Sequence, residues 1–166
     1  MSDPYRYENM TEDEIANAKR MMLDEGILPN HIDRIFNQPD AQSATLNRVT
    51  SASASQINGA VQANGEVVFV NPNVVTFGKN SEVNAAGIVA TTMDISNDNF
   101  MGGKSQYSTS SSSTGAVINK GKLTASGVGS YVALLAPEVI NKGYVLAKGG
   151  SGGVALASGA QVSLDF

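Results

Sequence analysis

The pentapeptide VINKG occurs at Val117–Gly121 and again at Val139–Gly143, 22 residues later. The flanking residues align without a gap, with GAVINKGKLTASGVGSYVALLA at 115–136 and PEVINKGYVLAKGGSGGVALAS at 137–158. Both copies contain short β-type pieces separated by Gly and Ser, and none of these pieces is long enough for a helix. A fixed period of this length predicts a solenoid of stacked turns.

The stacking of turns gives each repeated residue a structural role. Each turn, or rung, pairs its backbone with the rungs above and below at about 4.8 Å, so equivalent side chains form columns. We expect Ile118 and Ile140 to point inward. We expect Asn119 and Asn141 to form a structural turn ladder and not a ligand site, because stacked side-chain amides hydrogen-bond along the axis.

Composition agrees with a coil of short strands. The chain has 166 residues, of which 42% are hydrophobic and only 6% aromatic, with 17 Gly and no Cys or Trp. Small and β-branched residues with many glycines are typical of stacked strands and tight turns. Upstream segments repeat less regularly, and about 22 residues per rung predicts about six rungs, roughly 30 Å tall.

The first 35 residues differ in composition from the remainder. They carry eight acidic and four basic residues, which leaves seven of each in the other 131. Thr11–Glu14 reads as a capping box, which predicts a helix with Ile15, Ala18, Met21 and Met22 on its apolar face and Gly26 as its stop. A second short helix is predicted over 30–36, with Ile32, Ile35 and Phe36 facing inward. We therefore divide the chain into a helical cap, 1–35, and a coil, 36–166.

Two segments interrupt the coil near residues 97–114. The first, Asp98–Lys104, reads as a loop or hairpin. The second, Ser108–Thr114, is the polar low-complexity run STSSSST, which indicates a flexible excursion from the coil.

Several functional classes lack the residues that they need. The net charge of −4 argues against nucleic-acid binding. Without Cys, and with His31 as the only His, we expect no metal site. Gly103-Lys104-Ser105 fails the phosphate-loop spacing. The acids of the coil are scattered and do not form the carboxylate pair of a glycosidase, so we expect no catalytic residues, no cofactor and no small-molecule substrate.

An ordered set of short motifs resembles one known family. The resemblance covers residues 36–166 and rests on the whole set, since no single motif is decisive. The motifs are Phe36-Asn37-Gln38-Pro39, Leu46-Asn47-Arg48-Val49, Ser55-Gln56-Ile57-Asn58-Gly59, Asn64-Gly65, Asn71-Pro72-Asn73, Phe77-Gly78-Lys79, Thr91–Ser96, Val117–Gly121 and Val132–Leu135. This order is similar to the secretion domain of two-partner-secretion (TPS) exoproteins of the filamentous-haemagglutinin type.

The resemblance implies an all-β fold, a right-handed parallel β-helix. It implies export through the periplasm and recognition by the POTRA domains of an outer-membrane translocator. The module would belong to a surface exoprotein such as an adhesin, a haemolysin or a contact-dependent toxin. The chain as given begins without a signal-peptide pattern, and we expect a monomer.

The family's NPNG motif corresponds to Asn71-Pro72-Asn73-Val74, with Val74 where the family has Gly. The resemblance implies that Asn71, Pro72 and Asn73 shape a turn presented to the translocator, and a purely structural role for them is an equal alternative. A helical N-terminus departs from the family, which favours a second reading of the chain. In that reading, the protein is a structural solenoid whose natural cap was replaced, naturally or by engineering, and which has no secretion role.

Overall fold

The computed structural model describes residues 20–24, 34–110 and 113–165, and these residues form a parallel β-helix. Sheet A has six strands, β1 (Arg20–Asp24), β3 (Ala44–Arg48), β6 (Glu66–Val70), β9 (Gly87–Thr91), β13 (Tyr131–Leu135) and β16 (Gly153–Ala157). Sheet B has five, β2 (Arg34–Phe36), β5 (Ala60–Ala63), β8 (Glu82–Ala85), β12 (Lys122–Ser126) and β15 (Tyr144–Lys148). Sheet C has four, β4 (Ser55–Ile57), β7 (Val75–Phe77), β11 (Ala116–Asn119) and β14 (Glu138–Asn141).

Each complete rung runs through sheets C, B and A in that order, and equivalent strands pair in parallel. The two copies of the pentapeptide stack in register, with Val117 on Val139 and Asn119 on Asn141. The six strands of sheet A agree with the expected six rungs. The predicted parallel β-helix is therefore confirmed for the described residues.

The interior face of the coil forms one hydrophobic core. It contains the inward residues of all three sheets, among them Val61, Val83, Leu123 and Val132, none of which is exposed. The directions of Ile118 and Ile140 correct the prediction from sequence, since Val139 and not Ile140 packs against this core. Val117 lies in the core while Ile118 is only half-buried, because residues i and i+2 share a face of a strand and the buried Asn119 places Val117 beside it.

A second hydrophobic core covers the outer face of sheet A. The chain leaves the coil after β9, forms α1 (Asn97–Met101) and β10 (Gln106–Ser108), and returns at β11. We call Thr92–Gly115 the excursion. Its large apolar side chains and those of sheet A form a cluster of buried residues, namely Leu46, Val68, Val70, Val89, Met93, Ile95, Phe100, Tyr107 and Leu135. The strands β3, β6, β9 and β13 of sheet A are therefore buried on both faces, whereas Val154 and Leu156 of β16 are each 50% exposed.

The excursion is more regular than its sequence suggests. The segment predicted as a loop or hairpin contains α1, whose N-cap Ser96 accepts a hydrogen bond from the Asn99 backbone nitrogen at 3.1 Å. β10 pairs antiparallel with β17 (Gln161–Ser163), close to the C-terminal end of the described chain. The serine run therefore begins inside an ordered strand, and Ser111 and Ser112 lie outside the described residues. Phe100 is the buried residue of α1 and packs this helix against sheet A.

The helical prediction for residues 20–24 and 34–36 is wrong. β1 pairs in parallel with β3, and β2 pairs with β5, so both segments extend the coil. The open backbone edge of the following strand outweighs local helix propensity. Ile35 is 56% exposed while Phe36 packs on the core, as strand alternation requires. A boundary at residue 35 falls inside β2, and the other residues of the predicted cap lie outside the described residues.

Among the described residues, no helix has the length and hydropathy needed to cross a bilayer.

The packing of the excursion can be tested with two adjacent side chains of α1. Phe100 is 2% exposed against sheet A, while Met101 is 51% exposed. Phe100→Ala should lower the free energy of unfolding by about 3 kcal/mol, because it leaves a cavity between α1 and the sheet. Met101→Ala, the matched control, should change it by less than about 0.5 kcal/mol. Denaturant unfolding measures both, and equal effects would show that α1 does not pack as described.

Candidate functional site

The Asn71-Pro72-Asn73 turn joins β6 to β7 and is held by side-chain hydrogen bonds to the preceding rung. The Asn71 side chain is 1% exposed, and its Nδ2 donates to the Ser53 carbonyl at 2.9 Å and to Ser55 Oγ at 2.8 Å. Its backbone nitrogen donates to the Thr91 carbonyl at 3.0 Å in the following rung. Asn71 therefore links three rungs and does not present its amide to solvent.

Asn73 completes the turn from the outside. Its backbone nitrogen donates to Asn71 Oδ1 at 2.9 Å, and its Nδ2 donates to the Ser51 carbonyl at 2.9 Å. Pro72 between them has a fixed φ and no donor, which suits a tight turn. Pro72 and Asn73 are partly exposed. Of the three residues that the sequence singled out, these two can contact a partner, and Asn71 positions them.

A groove of about 410 Å³ lies beside this turn. We call it the corner groove. Its lining residues are Arg48–Ala52, Val70, Pro72, Asn73 and Asp94. Thr50, Ser51 and Ala52 form an exposed lip, so the groove has an accessible rim of small residues next to a rigid turn.

Arg48 anchors the excursion at the end of this groove. Its Nε lies 3.1 Å from Asp94 Oδ1, and its side chain is 16% exposed against 50% for Asp94. Its Nη1 donates to Asn97 Oδ1 at 2.8 Å, and its Nη2 donates to the Ile95 carbonyl. Bonds in several directions from one planar guanidinium fix the start of α1 relative to β3.

Asn119 and Asn141 lie at the other end of sheet C. Asn119 Nδ2 donates to Asn141 Oδ1 at 2.9 Å. Each Oδ1 accepts from the glycine nitrogen two residues on, at 3.0 Å for Gly121 and 3.2 Å for Gly143. A Cβ on Gly121 would lie 2.0 Å from Ser81 Oγ, so glycine is required there. This ladder is a stacked turn, and the structure does not bring it near Asn71–Asn73.

A cluster of titratable residues on the outer face of sheet A has no counterpart in the sequence prediction. Strand register places Arg20, Glu66 and Tyr131 in one column, separated by Ala44 and Gly87. A Cβ on Gly87 would lie 3.2 Å from Tyr131 Cε1 and 3.3 Å from Glu66 Cγ, so both side chains pack over this glycine. The 22-residue period does not reveal this column, because the excursion is inserted between the rung of Gly87 and the rung of Tyr131.

The surroundings of Glu66 shift the pKa of its carboxyl group. Burial raises the pKa of the Glu66 carboxyl, and a hydrogen bond with Tyr131 and the positive charge of Arg20 oppose this shift. Burial also raises the pKa of the Tyr107 and Tyr131 hydroxyls, with a further contribution from Glu66, so both stay protonated at neutral pH. Arg20 itself lies over the Phe100 ring, 5.3 Å from the ring centroid.

Within residues 20–24, 34–110 and 113–165, His, Asp and Glu side chains form no group of three that could hold a metal ion.

The structural role of the Asn71 amide can be measured directly. Asn71→Ala should lower the free energy of unfolding by about 1–3 kcal/mol, because the buried Ser55 hydroxyl and the Ser53 carbonyl lose their donor. Asn73→Ala should cost less, since its bonds are more exposed. Asn80→Ala, at an exposed position of the next corner, should stay within about 0.5 kcal/mol. Equal values for Asn71 and Asn80 would contradict a linking role for Asn71.

Glu66 should make stability depend on pH. Its pKa is raised in the folded state, so the folded state binds the proton more tightly, and stability falls as pH rises through that pKa. Glu66→Gln should therefore unfold at a higher temperature than the wild type at pH 7, and this difference should vanish below about pH 4. The exposed Glu82→Gln is the control. A lower melting temperature for Glu66→Gln at pH 7 would show that the Arg20 and Tyr131 interactions outweigh burial.

Comparison with known proteins places the chain in a family. The family described as the TPS secretion domain matches residues 33–165. A heme/hemopexin-binding protein of Haemophilus influenzae is 42% identical over 129 residues, covering 75% of this chain and 14% of that protein. Another heme/hemopexin-binding protein of Haemophilus influenzae is 45% identical over 60 residues, covering 36% of this chain and 6% of that protein. The chain thus matches a small part of each relative.

A solved structure agrees in fold. The crystal structure of the HMW1 secretion domain from Haemophilus influenzae superposes with a TM-score of 0.75 at 27% identity, covering 87% of this chain and 41% of that chain. The family match begins before β2 and ends after β17, so it spans nearly the whole described coil. This chain therefore belongs to the TPS secretion domain family, the secretion modules of two-partner-secretion exoproteins.

Proposed function

We propose that this domain is the recognition module of a larger bacterial exoprotein, bound in the periplasm by the POTRA domains of an outer-membrane translocator. The observation that carries the proposal is the family match over residues 33–165, which assigns a secretion role to the coil itself. The exoprotein would travel through the periplasm to the cell surface. Its distal part would be an adhesin, a haemolysin or a toxin, or would bind heme or hemopexin as its relatives' names state.

The corner groove is our candidate for the contact surface. Pro72 and Asn73 are partly exposed on a turn that hydrogen bonds hold rigid, so a partner would bind without ordering this segment first. The exposed rim from Thr50 to Ala52 widens that surface. Asn71 would contribute by holding the turn in place and not by contacting the partner, because its side-chain amide donates hydrogen bonds to Ser53 and Ser55.

This arrangement decides which substitutions can test recognition. Replacing Asn71 and Asn73 together by Ala removes the hydrogen bonds of the turn, so lost binding could follow from lost structure. Ala52 is exposed at the groove rim and has a matched counterpart in Ala160, which is also exposed but lies beside β17. A large cationic side chain at either position should leave the fold intact.

Binding to the purified periplasmic domains of the cognate translocator tests the proposal. We expect Ala52→Arg to weaken binding at least about tenfold, which corresponds to about 1.4 kcal/mol, because the bulky side chain blocks the groove. Ala160→Arg should bind like the wild type, and both variants should keep the wild-type melting temperature. An absence of wild-type binding would favour the alternative of a structural solenoid without a secretion role. Equal binding by both variants would exclude the corner groove as the contact surface.

A further inference from the structure

A second depression lies at the corner where the chain passes from sheet B to sheet A. The connections there differ in length from rung to rung. They comprise residues 37–43 before β3, 64–65 before β6, Ala86 alone before β9, 127–130 before β13 and 149–152 before β16. Two short corners therefore lie between longer ones. The result is a notch of about 460 Å³, two rungs wide.

The walls of the notch are held in place by their own hydrogen bonds. On one side, Ser43 Oγ donates to Asp40 Oδ1 at 2.8 Å, and the Gln42 nitrogen donates to the same oxygen at 3.1 Å. On the other side, Ser130 Oγ and the Gly127 nitrogen both donate to the Lys148 carbonyl, at 3.0 Å each. Preformed walls reduce the entropy lost when a ligand binds.

One wall ends in an exposed apolar side chain. Val128 is 97% exposed between Gly127 and Gly129, which have φ angles of 115° and 71°. Positive φ at both glycines turns the loop outward, and no atom lies within 4 Å of a Cβ built on either. An isolated exposed valine is ordinary on a protein surface. At the lip of a preformed notch it supplies an apolar contact for an entering side chain.

The floor of the notch carries a carboxyl group. Ala41 and Ala86 contribute only small side chains, and Glu66 and Tyr131, which pack over Gly87, line the bottom while remaining partly exposed. Arg20 is two strands away in the column and is also engaged by the Phe100 ring. Burial raises the pKa of the Glu66 carboxyl, because desolvation disfavours its charged form. A cation entering the notch would compensate that charge.

We propose that this notch receives a lysine or arginine side chain from the periplasmic domains of the translocator. The aliphatic stem would lie between Val128 and the Tyr131 ring, and the cationic end would reach the Glu66 carboxylate. Charge complementarity supports this occupant, because the notch floor presents a carboxylate and none of the residues that line the notch is a lysine or arginine. This inference rests on the proposed function and adds a second contact surface. It lies at the N-terminal ends of the sheet A strands, whereas the corner groove lies at their C-terminal ends.

The two contacts are compatible with one partner. Strands of sheet A are five residues long, so the two ends of each strand are about 17 Å apart. A typical protein–protein interface buries about 800 Å² on each partner, which is large enough to include both the corner groove and the notch.

The test measures the affinity of the purified translocator periplasmic domains for variants of the whole chain. Glu66→Gln keeps the shape and removes the charge, and it should weaken binding about tenfold and reduce the salt dependence of the affinity. Val128→Lys changes only an exposed side chain and should weaken binding similarly. The new lysine at the lip of the notch would repel the cationic side chain of the translocator. Glu82→Gln and Gln62→Lys, on the exposed face of sheet B, are the matched controls and should bind like the wild type.

The outcomes separate the inference from the proposed function. If both Glu66→Gln and Val128→Lys bind with wild-type affinity and salt dependence, the notch is not a contact surface. The proposed recognition by the translocator would be unaffected. No binding by the wild type would overturn the proposed function itself. Because Val128 is almost fully exposed, its variant stays informative even if Glu66→Gln alters stability. Weakening in both notch variants but in neither control would support the inference.

Discussion

The parallel pairing of six strands in sheet A, of which β3, β6, β9 and β13 are buried on both faces, is the constraint on which the rest of the structure depends. Inside, Val67, Ile88 and Val132 share one core, and outside, Val68, Val89 and Ala133 share another. A strand buried on both faces cannot slip by one residue without exchanging its two sets of side chains. The register of sheet A therefore fixes the order of the rungs, the position of the excursion and the column that contains Glu66.

Several buried polar side chains lie where the coil turns, and these are paired with their neighbours. Asn71 joins three rungs at one corner, and Asn119 is stacked on Asn141 at another. Arg48 has a similar connecting role. It links the excursion to β3 through its contacts with Asp94, Asn97 and the Ile95 carbonyl. Polar groups of this kind specify one arrangement of the coil, because a shifted rung would leave them buried without partners.

The surfaces available to a partner arise where this regularity is broken. The corner groove lies beside a turn that the asparagines hold rigid, and the notch exists because two short corners lie between longer ones. Both flank sheet A, whose outer face is covered by the excursion. In the proposed function, the translocator would recognise the secretion module at the corner groove and the notch. Both surfaces are formed before binding.

The sequence by itself determined the coil, its period and its approximate number of rungs, because the backbone pairing of a solenoid forces residues one turn apart to be alike. It also indicated the family, through the order of short motifs from Phe36 to Leu135. Only the tertiary structure decided that Val117 and not Ile118 points inward, that Arg20–Asp24 is a strand, and that Phe100 lies on a helix packed against sheet A. These features depend on an open strand edge or an uncovered apolar face supplied by residues far away in the chain. Local propensity carries no information about such distant partners, and for the same reason the meeting of Glu66 with Tyr131 became visible only once the rungs were stacked.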